Sequence, residues 1–337
     1  MNVLGIETSC DETSVAIISE NVIAANLISS QDFHNQYGGV VPELSSRAHL
    51  QIIIPLLKAA LSKSGLNLNQ IDLISATAGP GLIGALLVGL TFAKGLSFSL
   101  NKPFVPVNHI EGHIFSGFLM NDKPEFPFLV LVVSGGHTLL LLVNNFTDIK
   151  KLGTTVDDAA GEAFDKASKM LGLGYPGGPK IQNSAAMGEI GKISFPISEL
   201  KDPFNFSFSG LKTAVLRFIQ NHNSLHGQLS ENDINDIAAA FQAAVIKALI
   251  RKTEKAINSF EVKSISLVGG VAANNVLREE FQKLGDKHSL KVVIPSMDFC
   301  GDNAAMIAIR AKQLYESGSR FDLDFVPFPG LTNQHFS

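Results

Sequence analysis

"VLGIETSCDETSVAIIS", residues 3–19, sets an apolar strand, a polar turn and a second apolar strand in direct succession. That order reads as a β-hairpin whose turn, Thr8 to Thr13, carries Ser9, Asp11 and Glu12. "FLVLVVSGGHTLLLLV", residues 128–143, repeats the design with Ser134, Gly135, Gly136 and His137 in the turn. A third stretch, "SISLVGGVAANNVLREEF", residues 264–281, runs from a strand through Gly269-Gly270 and Asn274 into a helical pattern. Two distant hairpins, each followed by further strand and helix signals, predict an α/β chain with a duplicated, two-lobed architecture and a nucleotide cleft between the lobes. The repetition is one of pattern and not of identity.

Composition is compatible with this. The chain has 337 residues, 45% hydrophobic and 17% charged, enough core for two domains and too apolar for global disorder. A net charge of −4 excludes a protein coated with basic residues but leaves room for a local cationic stripe. Two cysteines, Cys10 and Cys300, give no disulfide framework. The N-terminal stretch lacks the basic start of a secretion signal, and the longest apolar runs are interrupted by Ser134–His137 and by Lys94, so a cytoplasmic location is expected.

Three helices are expected. One runs from about Pro42 to Leu61, stops before Gly65 and is kinked by Pro55. Another follows "AGPGLIGALLVGLTFAKGL", residues 78–96, where Gly81, Ala85, Gly89 and Ala93 make a smooth face suited to close helix approach. That face reads either as core packing or as an interface with a partner. The third, residues 231–257, is amphipathic, and its Lys247, Arg251, Lys252 and Lys255 read as a solvated face.

Several stretches can carry chemistry. Ser134, Gly135, Gly136, His137 and Thr138 can present backbone N–H groups to a phosphate, although such turns are often only structural. The turn around Asp11 and Glu12 repels phosphate and suits a metal, a base or a ligand amine. In "TTVDDAAGEAFDKASKMLGLGYPGGPKI", residues 154–181, Asp157 or Asp158 can cap a helix and Asp165 can accept from ribose hydroxyls. The Phe residues alternating in "NFSFSGLKTAVLRF", residues 205–218, read as a half-buried strand, with nucleic-acid contact the alternative.

"NHIEGHIFSG", residues 108–117, places His109 and His113 on one helical face, able to share a metal. A zinc peptidase of the usual kind needs its glutamate directly after the first histidine. Here Glu111 lies two residues on and points elsewhere, which removes the base though not the metal. A third ligand can come from Asp302, in "MDFCGDNAAMIAIRA", residues 297–311, unless that carboxylate only caps the helix it precedes.

Taken in order, "GIETSCDETSVAI", "GGVVPELSSRAH", "GPGLIGALLVG", "NHIEGH", "VSGGHT", "DDAAGEAFDK", "YPGGP", "FSFSGLKTAV", "GGVAAN" and "DNAAMIA" resemble the tRNA adenosine threonylcarbamoyltransferase family. Its members were once described as glycoprotein endopeptidases. The resemblance covers about residues 1–315 and implies the actin/sugar-kinase/Hsp70-like (ASKHA) fold, with lobes at about 1–107 and 108–337 and the last helix packing back on the first lobe. It implies metal ligands His109, His113 and Asp302, and nucleotide or substrate contacts at Ser9, Val132, Val133, Ser134, Gly135, Gly136, His137, Asp165, Gly178 and Asn274. Asp11 and Glu12 match the catalytic turn. Gly301 departs from the pattern, since relatives often carry Thr or Ser there. The implied reaction joins threonylcarbamoyl-AMP to the exocyclic amine of adenosine 37 in tRNAs reading codons that begin with A, and releases AMP. One divalent metal per subunit is implied, iron with zinc as the alternative. The implied partners are tRNA, a smaller paralogue (TsaB-like) docked on the Gly81–Ala93 face, and a P-loop ATPase (TsaE-like). A metallopeptidase and a small-molecule kinase of the same superfamily are the rival readings.

Overall fold

A computed structural model describes residues 1–37 and 39–330. The chain runs β1 (Asn2–Glu7), β2 (Glu12–Ser19), β3 (Val22–Ser30), α1 (Pro42–Ser64), β4 (Leu73–Gly79), α2 (Ile83–Leu100), β5 (Phe104–Asn108), α3 (His109–Phe115). It continues β6 (Phe128–Val133), β7 (Thr138–Val143), β8 (Ile149–Thr154), α4 (Ala160–Met170), α5 (Gly177–Ala185), α6 (Ser209–His226), α7 (Glu231–Ile257). It closes with β9 (Ser264–Val268), α8 (Asn275–Lys287), β10 (Lys291–Val293), α9 (Met297–Cys300) and α10 (Ala304–Glu316).

Two compact units result, one of residues 1–123, 145–148 and 295 onward, the other of residues 124–144 and 149–294. The first unit thus extends past the expected limit at residue 107, because α3 continues directly from β5 and packs on α10. Each unit holds a five-stranded sheet. The orders are β3-β2-β1-β4-β5 and β8-β7-β6-β9-β10. In both, the first three strands form an antiparallel meander and the last two lie parallel to the central one. The same path drawn twice, with no shared residues, makes the chain a duplicated α/β fold.

In the first unit β1 is buried on both faces, as the run Val-Leu-Gly-Ile requires. Leu4 and Ile6 join Val15, Ile17, Ile53, Leu57, Leu90 and Ala93 beneath α1 and α2. Val3 joins Ile18, Val105, Val107, Met306 and Ile307 beneath α10 on the other face. Alternation of side chains along the strand produces the two layers. Gly5 makes the second layer possible, since a Cβ there would stand 2.3 Å from the Ala304 carbonyl oxygen.

The smooth face of α2 is core packing and not a docking surface. Ala85, Gly89 and Ala93 are buried, and a Cβ on Gly89 would meet Thr8 Oγ1 at 2.3 Å. Thr8 Oγ1 donates to the Ala85 carbonyl at 2.9 Å. By length and composition α2 could cross a membrane; in this fold it lies along β4 and α1. Helix α1 continues through Pro55 and ends on Gly65, left-handed at φ 69°.

The alternating Phe residues do not make a strand. Phe206 forms a single bridge with Thr155, and the chain turns into α6 at Ser209. Asp157 drives that change. It accepts from the backbone N–H of Phe208 and Ser209 at 2.7 and 3.2 Å and from the hydroxyls of Ser207 and Ser209. It therefore caps α6 and not α4, whose first N–H, on Ala160, goes to Thr138 Oγ1.

Gly5→Ala is expected to destabilise the protein by about 1–3 kcal/mol through overpacking against α10. Urea unfolding should show a lower midpoint at an unchanged slope.

Candidate active site

In the first unit, α3 begins on Asn108, whose side chain accepts from Ile110 and Glu111 N–H groups at 2.9 and 3.3 Å. The resulting helix places His109 and His113 one turn apart, both buried, with rings edge to face at 4.8 Å. Asp302, far away in sequence, meets both. Its Oδ1 lies 3.0 Å from His113 Nε2 and 3.4 Å from His109 Nε2. Helix capping does not occupy Asp302, because Asn303 caps α10 by accepting from Met306 N–H at 3.0 Å.

The group fits a divalent cation. Its three ligand atoms lie within 4.8 Å of one another. A metal bound at about 2.0–2.2 Å puts its ligand atoms about 3–3.5 Å apart; the Asp302 contacts of 3.0 and 3.4 Å match this, and the widest pair would close on binding. The two Nε2 atoms and the carboxylate are all electron-pair donors, so their convergence calls for a proton or a metal ion between them.

Glu7, which sequence reasoning passed over, completes this cluster. It is fully buried at the end of β1. Its Oε1 accepts from Ser9 N–H at 2.5 Å, and its Oε2 accepts from Thr77 Oγ1 and lies 3.1 Å from His109 Nδ1. A carboxylate on Nδ1 holds the proton there and leaves the Nε2 lone pair facing Asp302. Ser9 Oγ also reaches His109 Nδ1, at 3.2 Å. The available signal was the charge itself, an acid ending an otherwise apolar strand.

Burial raises the carboxyls of Glu7 and Asp302, but His109 outweighs it, holding Glu7 below its ordinary value and, with His113, Asp302 well below. Burial lowers the His109 imidazole, yet Asp302 and Glu7 hold it well above the ordinary value. Glu12 has no such cation. Burial, then Asp302, Asp11 and Glu7, push its carboxyl up to about 9.

The turn that carries Asp11 and Glu12 is pinned from below. The Cys10 carbonyl accepts from Ser45 Oγ and from His49 Nε2, the latter at 3.0 Å. His49 Nδ1 then accepts from Thr13 Oγ1 at 2.8 Å. Burial lowers the His49 pKa, which keeps this imidazole neutral. His34 extends the network, accepting from Val41 N–H at 3.2 Å and donating to Gln31 at 2.9 Å.

Glu111 is committed elsewhere. Arg310, buried, holds its Oε2 through Nε and a terminal nitrogen at 2.7 and 2.5 Å and stacks on Phe115. A carboxylate with one oxygen held by two guanidinium nitrogens is a weakened base, which counts against the peptidase alternative.

In the second unit, β6 ends with Val132 and Val133 and the chain turns through Ser134, Gly135, Gly136 and His137. The turn is closed by Ser134 N–H to the His137 carbonyl at 2.8 Å and His137 N–H to Ser134 Oγ at 3.1 Å. Around Gly135 and Gly136 a Cβ would touch nothing within 4 Å, so the turn's outer side is open. Helix α4 packs beneath it, since a Cβ on Gly161 would stand 2.6 Å from the Ser134 carbonyl oxygen. Gly269, at φ 95°, passes equally close to the Val133 carbonyl, 2.5 Å. On α4, Asp165 accepts from Gly177 N–H at 2.7 Å and ties down the approach to Gly178, which is itself open. Asn274 is used structurally. Its Oδ1 caps α8 through Leu277 N–H at 3.0 Å, and its Nδ2 donates to Gln242 at 2.8 Å. The sequence-expected residues thus fall into two groups, a histidine–carboxylate cluster in the first unit and an open glycine turn in the second. Gly301 has no side-chain role; its carbonyl accepts from Asn303 Nδ2 at 2.9 Å.

Solved structures share this fold at low identity. The HypF protein of T. kodakarensis matches 94% of the chain and 48% of its own, with a TM-score of 0.65 at 15% identity. An activator of 2-hydroxyisocaproyl-CoA dehydratase from Clostridium difficile matches 96% and 99%, at 0.52 and 12%. At this identity the likeness is one of fold alone, the actin-like (ASKHA-type) α/β architecture. Closer relatives are transferases. The family model for tRNA N6-adenosine threonylcarbamoyltransferase matches residues 21–309. Proteins of that name from Thermosipho africanus and Kosmotoga olearia are 51% and 48% identical to the chain, covering 98% and 99% of it and 99% and 100% of themselves. The chain belongs to the tRNA N6-adenosine threonylcarbamoyltransferase family.

Glu7→Gln is expected to lower metal affinity about 10–100-fold, the usual effect of losing a carboxylate behind a histidine ligand, as measured by chelator competition. A second expectation concerns pH. In chelator-treated protein the folded state keeps the Glu12 proton up to about 9, whereas the unfolded chain releases it near the ordinary value of 4.5. The folded state binds more protons between these values, so stability falls as pH rises through that window. Glu12→Gln should flatten this decline in urea unfolding at successive pH values; an equally steep decline in the variant would refute it.

Proposed function

We propose that the chain transfers the threonylcarbamoyl group of threonylcarbamoyl-AMP to N6 of adenosine 37 in tRNAs reading codons that begin with A, forming t6A and releasing AMP. The observation that carries this reading is the convergence of His109, His113 and Asp302 in one buried cluster, with Glu111 locked out of reach. Family membership at about half identity over the full length supplies the substrate class.

In this reading a new N6–C bond forms at the carbamoyl carbon, the bond from that carbon to the phosphate oxygen breaks, and the amine gives up a proton. An aromatic amine is a weak nucleophile, so the carbon must be made electrophilic. His109, His113 and Asp302 would hold one divalent metal, iron by family resemblance, which supplies Lewis-acid polarisation of a substrate oxygen. Glu7 fixes the tautomer of His109 for that task. The backbone at Gly135 and Gly136 suits the departing phosphate, since no side chain blocks approach there. Asp11 or Glu12 would orient the amine or receive its proton, Glu12 only where a bound cation has displaced its own, on a turn that His49 and Ser45 hold in place.

Work on tRNA also implies a cytoplasmic setting and partners. For the smaller paralogue, the fold supports an apolar surface different from the one expected on α2. The outward residues Leu50 and Ile54 of α1 and Ile83 and Leu87 of α2 are between 46% and 63% exposed, on two helices that pack together. Large exposed apolar residues so grouped suit a protein interface. A P-loop ATPase completes the proposed assembly.

Purified protein, mixed with the paralogue, the ATPase, threonylcarbamoyl-AMP and unmodified tRNA, is expected to yield modified adenosine by mass spectrometry, with one AMP per product. His113→Ala should abolish the product while tRNA binding persists. Absence of product from metal-loaded wild-type protein would overturn the reading.

A further inference from the structure

Lys252 breaks the expected pattern on α7. Lys247, Arg251 and Lys255 are exposed, but Lys252 is only 5% exposed, and among the described residues its Nζ has no hydrogen-bond partner. It lines a shallow pocket of about 10 Å³, room for roughly one water, shared with Ser198, Glu199, Ala248, Arg251 and Lys255. Glu199 does not neutralise it, since its carboxylate is taken by Arg251 at 2.7 Å. Burial, then Lys255, depress the Lys252 ammonium below its ordinary value; Glu199 and Asp202 only partly offset this. An unpaired ammonium in a buried position opposes folding. Lysine stems commonly carry the charge out to water, yet this Nζ is shielded from solvent.

We propose that the surface over this pocket is a phosphate subsite that receives a backbone phosphodiester of the tRNA. The inference rests on the tRNA-modifying function proposed above. A phosphate oxygen supplies the acceptor that Nζ lacks; the pocket is too small to take the phosphate whole, so the flexible lysine stem meets it at the surface. The polymer, and not a free ion, is favoured by the exposed cations alongside. Lys247, Arg251 and Lys255 recur every four residues, about 6 Å apart along the helix. A polyanion engages such a stripe at several points, whereas a lone ion engages one. A chain of net charge −4 has no general attraction for RNA, so its grip depends on local positive surfaces of this kind.

The test compares wild type with Lys252→Met in the reconstituted complex. Methionine fills the same space without the charge, so urea unfolding should show a variant at least as stable as wild type. Filter binding of unmodified tRNA across a salt series should show weaker binding. The slope of log affinity against log salt should be shallower by about 0.7–0.9, the share of one phosphate contact. Turnover should show a raised KM for tRNA at an unchanged kcat. Wild-type affinity, slope and KM in a folded Lys252→Met variant would overturn the subsite, even if inorganic phosphate shifts the Lys252 Nζ resonance of the wild-type protein. If the wild-type complex itself makes no t6A, the proposed function falls instead, so the two failures are distinguishable.

Discussion

The close packing of α10 on β1 and β2 underlies both the fold of the first unit and its chemistry. Gly5 leaves no side chain between strand and helix. Ser14 Oγ accepts from Ala304 N–H at 2.8 Å and fixes the helix start on the sheet. That contact carries Asp302, one residue before the Asn303 cap, to the two histidines of α3. Arg310, two turns further along α10, anchors the other side of α3 through Glu111 and Phe115. One helix therefore sets the place of Asp302 and braces the helix that bears both histidines.

The electrostatics of the cluster follow from this packing. A fully buried carboxylate, Glu7, and a partly buried one, Asp302, face two buried imidazoles. Carboxylates at such depth are tolerated only with positive charge close by. The structure supplies that charge either as imidazolium or as a bound cation. Glu7 and Asp302 approach His109 from its two different nitrogens, so the ring is held in one orientation. This is preorganisation by hydrogen bonding, achieved with residues from β1, α3 and the start of α10.

Much of this was legible in the sequence, and the rest was hidden for identifiable reasons. Both hairpins, the span of α7 and the shared face of His109 and His113 follow from local periodicity, which a single sequence displays directly. Partners distant in the chain are a different matter. Asp157 stands two residues before an N-cap yet caps a helix fifty residues on, because Phe206 pairs with Thr155 and brings α6 to it. The Phe residues alternate like a strand, but both are buried beside a helix start, and Asp157 decides the backbone there. The small residues of α2 look like an interface because sequence shows smoothness and not what it faces. Glu7 and Lys252 were overlooked for opposite reasons. The first sits within a strand, where an acid passes as a terminus, and the second sits within a cationic stripe, where one buried member is invisible.

The duplication explains why two such different turns exist. β1 and β6 are equivalent central strands, each turning back into an antiparallel neighbour. In the first unit residues 8–13 span that turn and carry carboxylates; in the second, residues 134–137 span it and carry glycines. The longer turn needs internal support, which Ser45, His49 and Thr13 give through the Cys10 carbonyl. The shorter one closes on itself through Ser134 and His137 and leaves its outer side bare. One scaffold thus offers carboxylates and imidazoles at one copy of the turn and an unobstructed glycine backbone at the other.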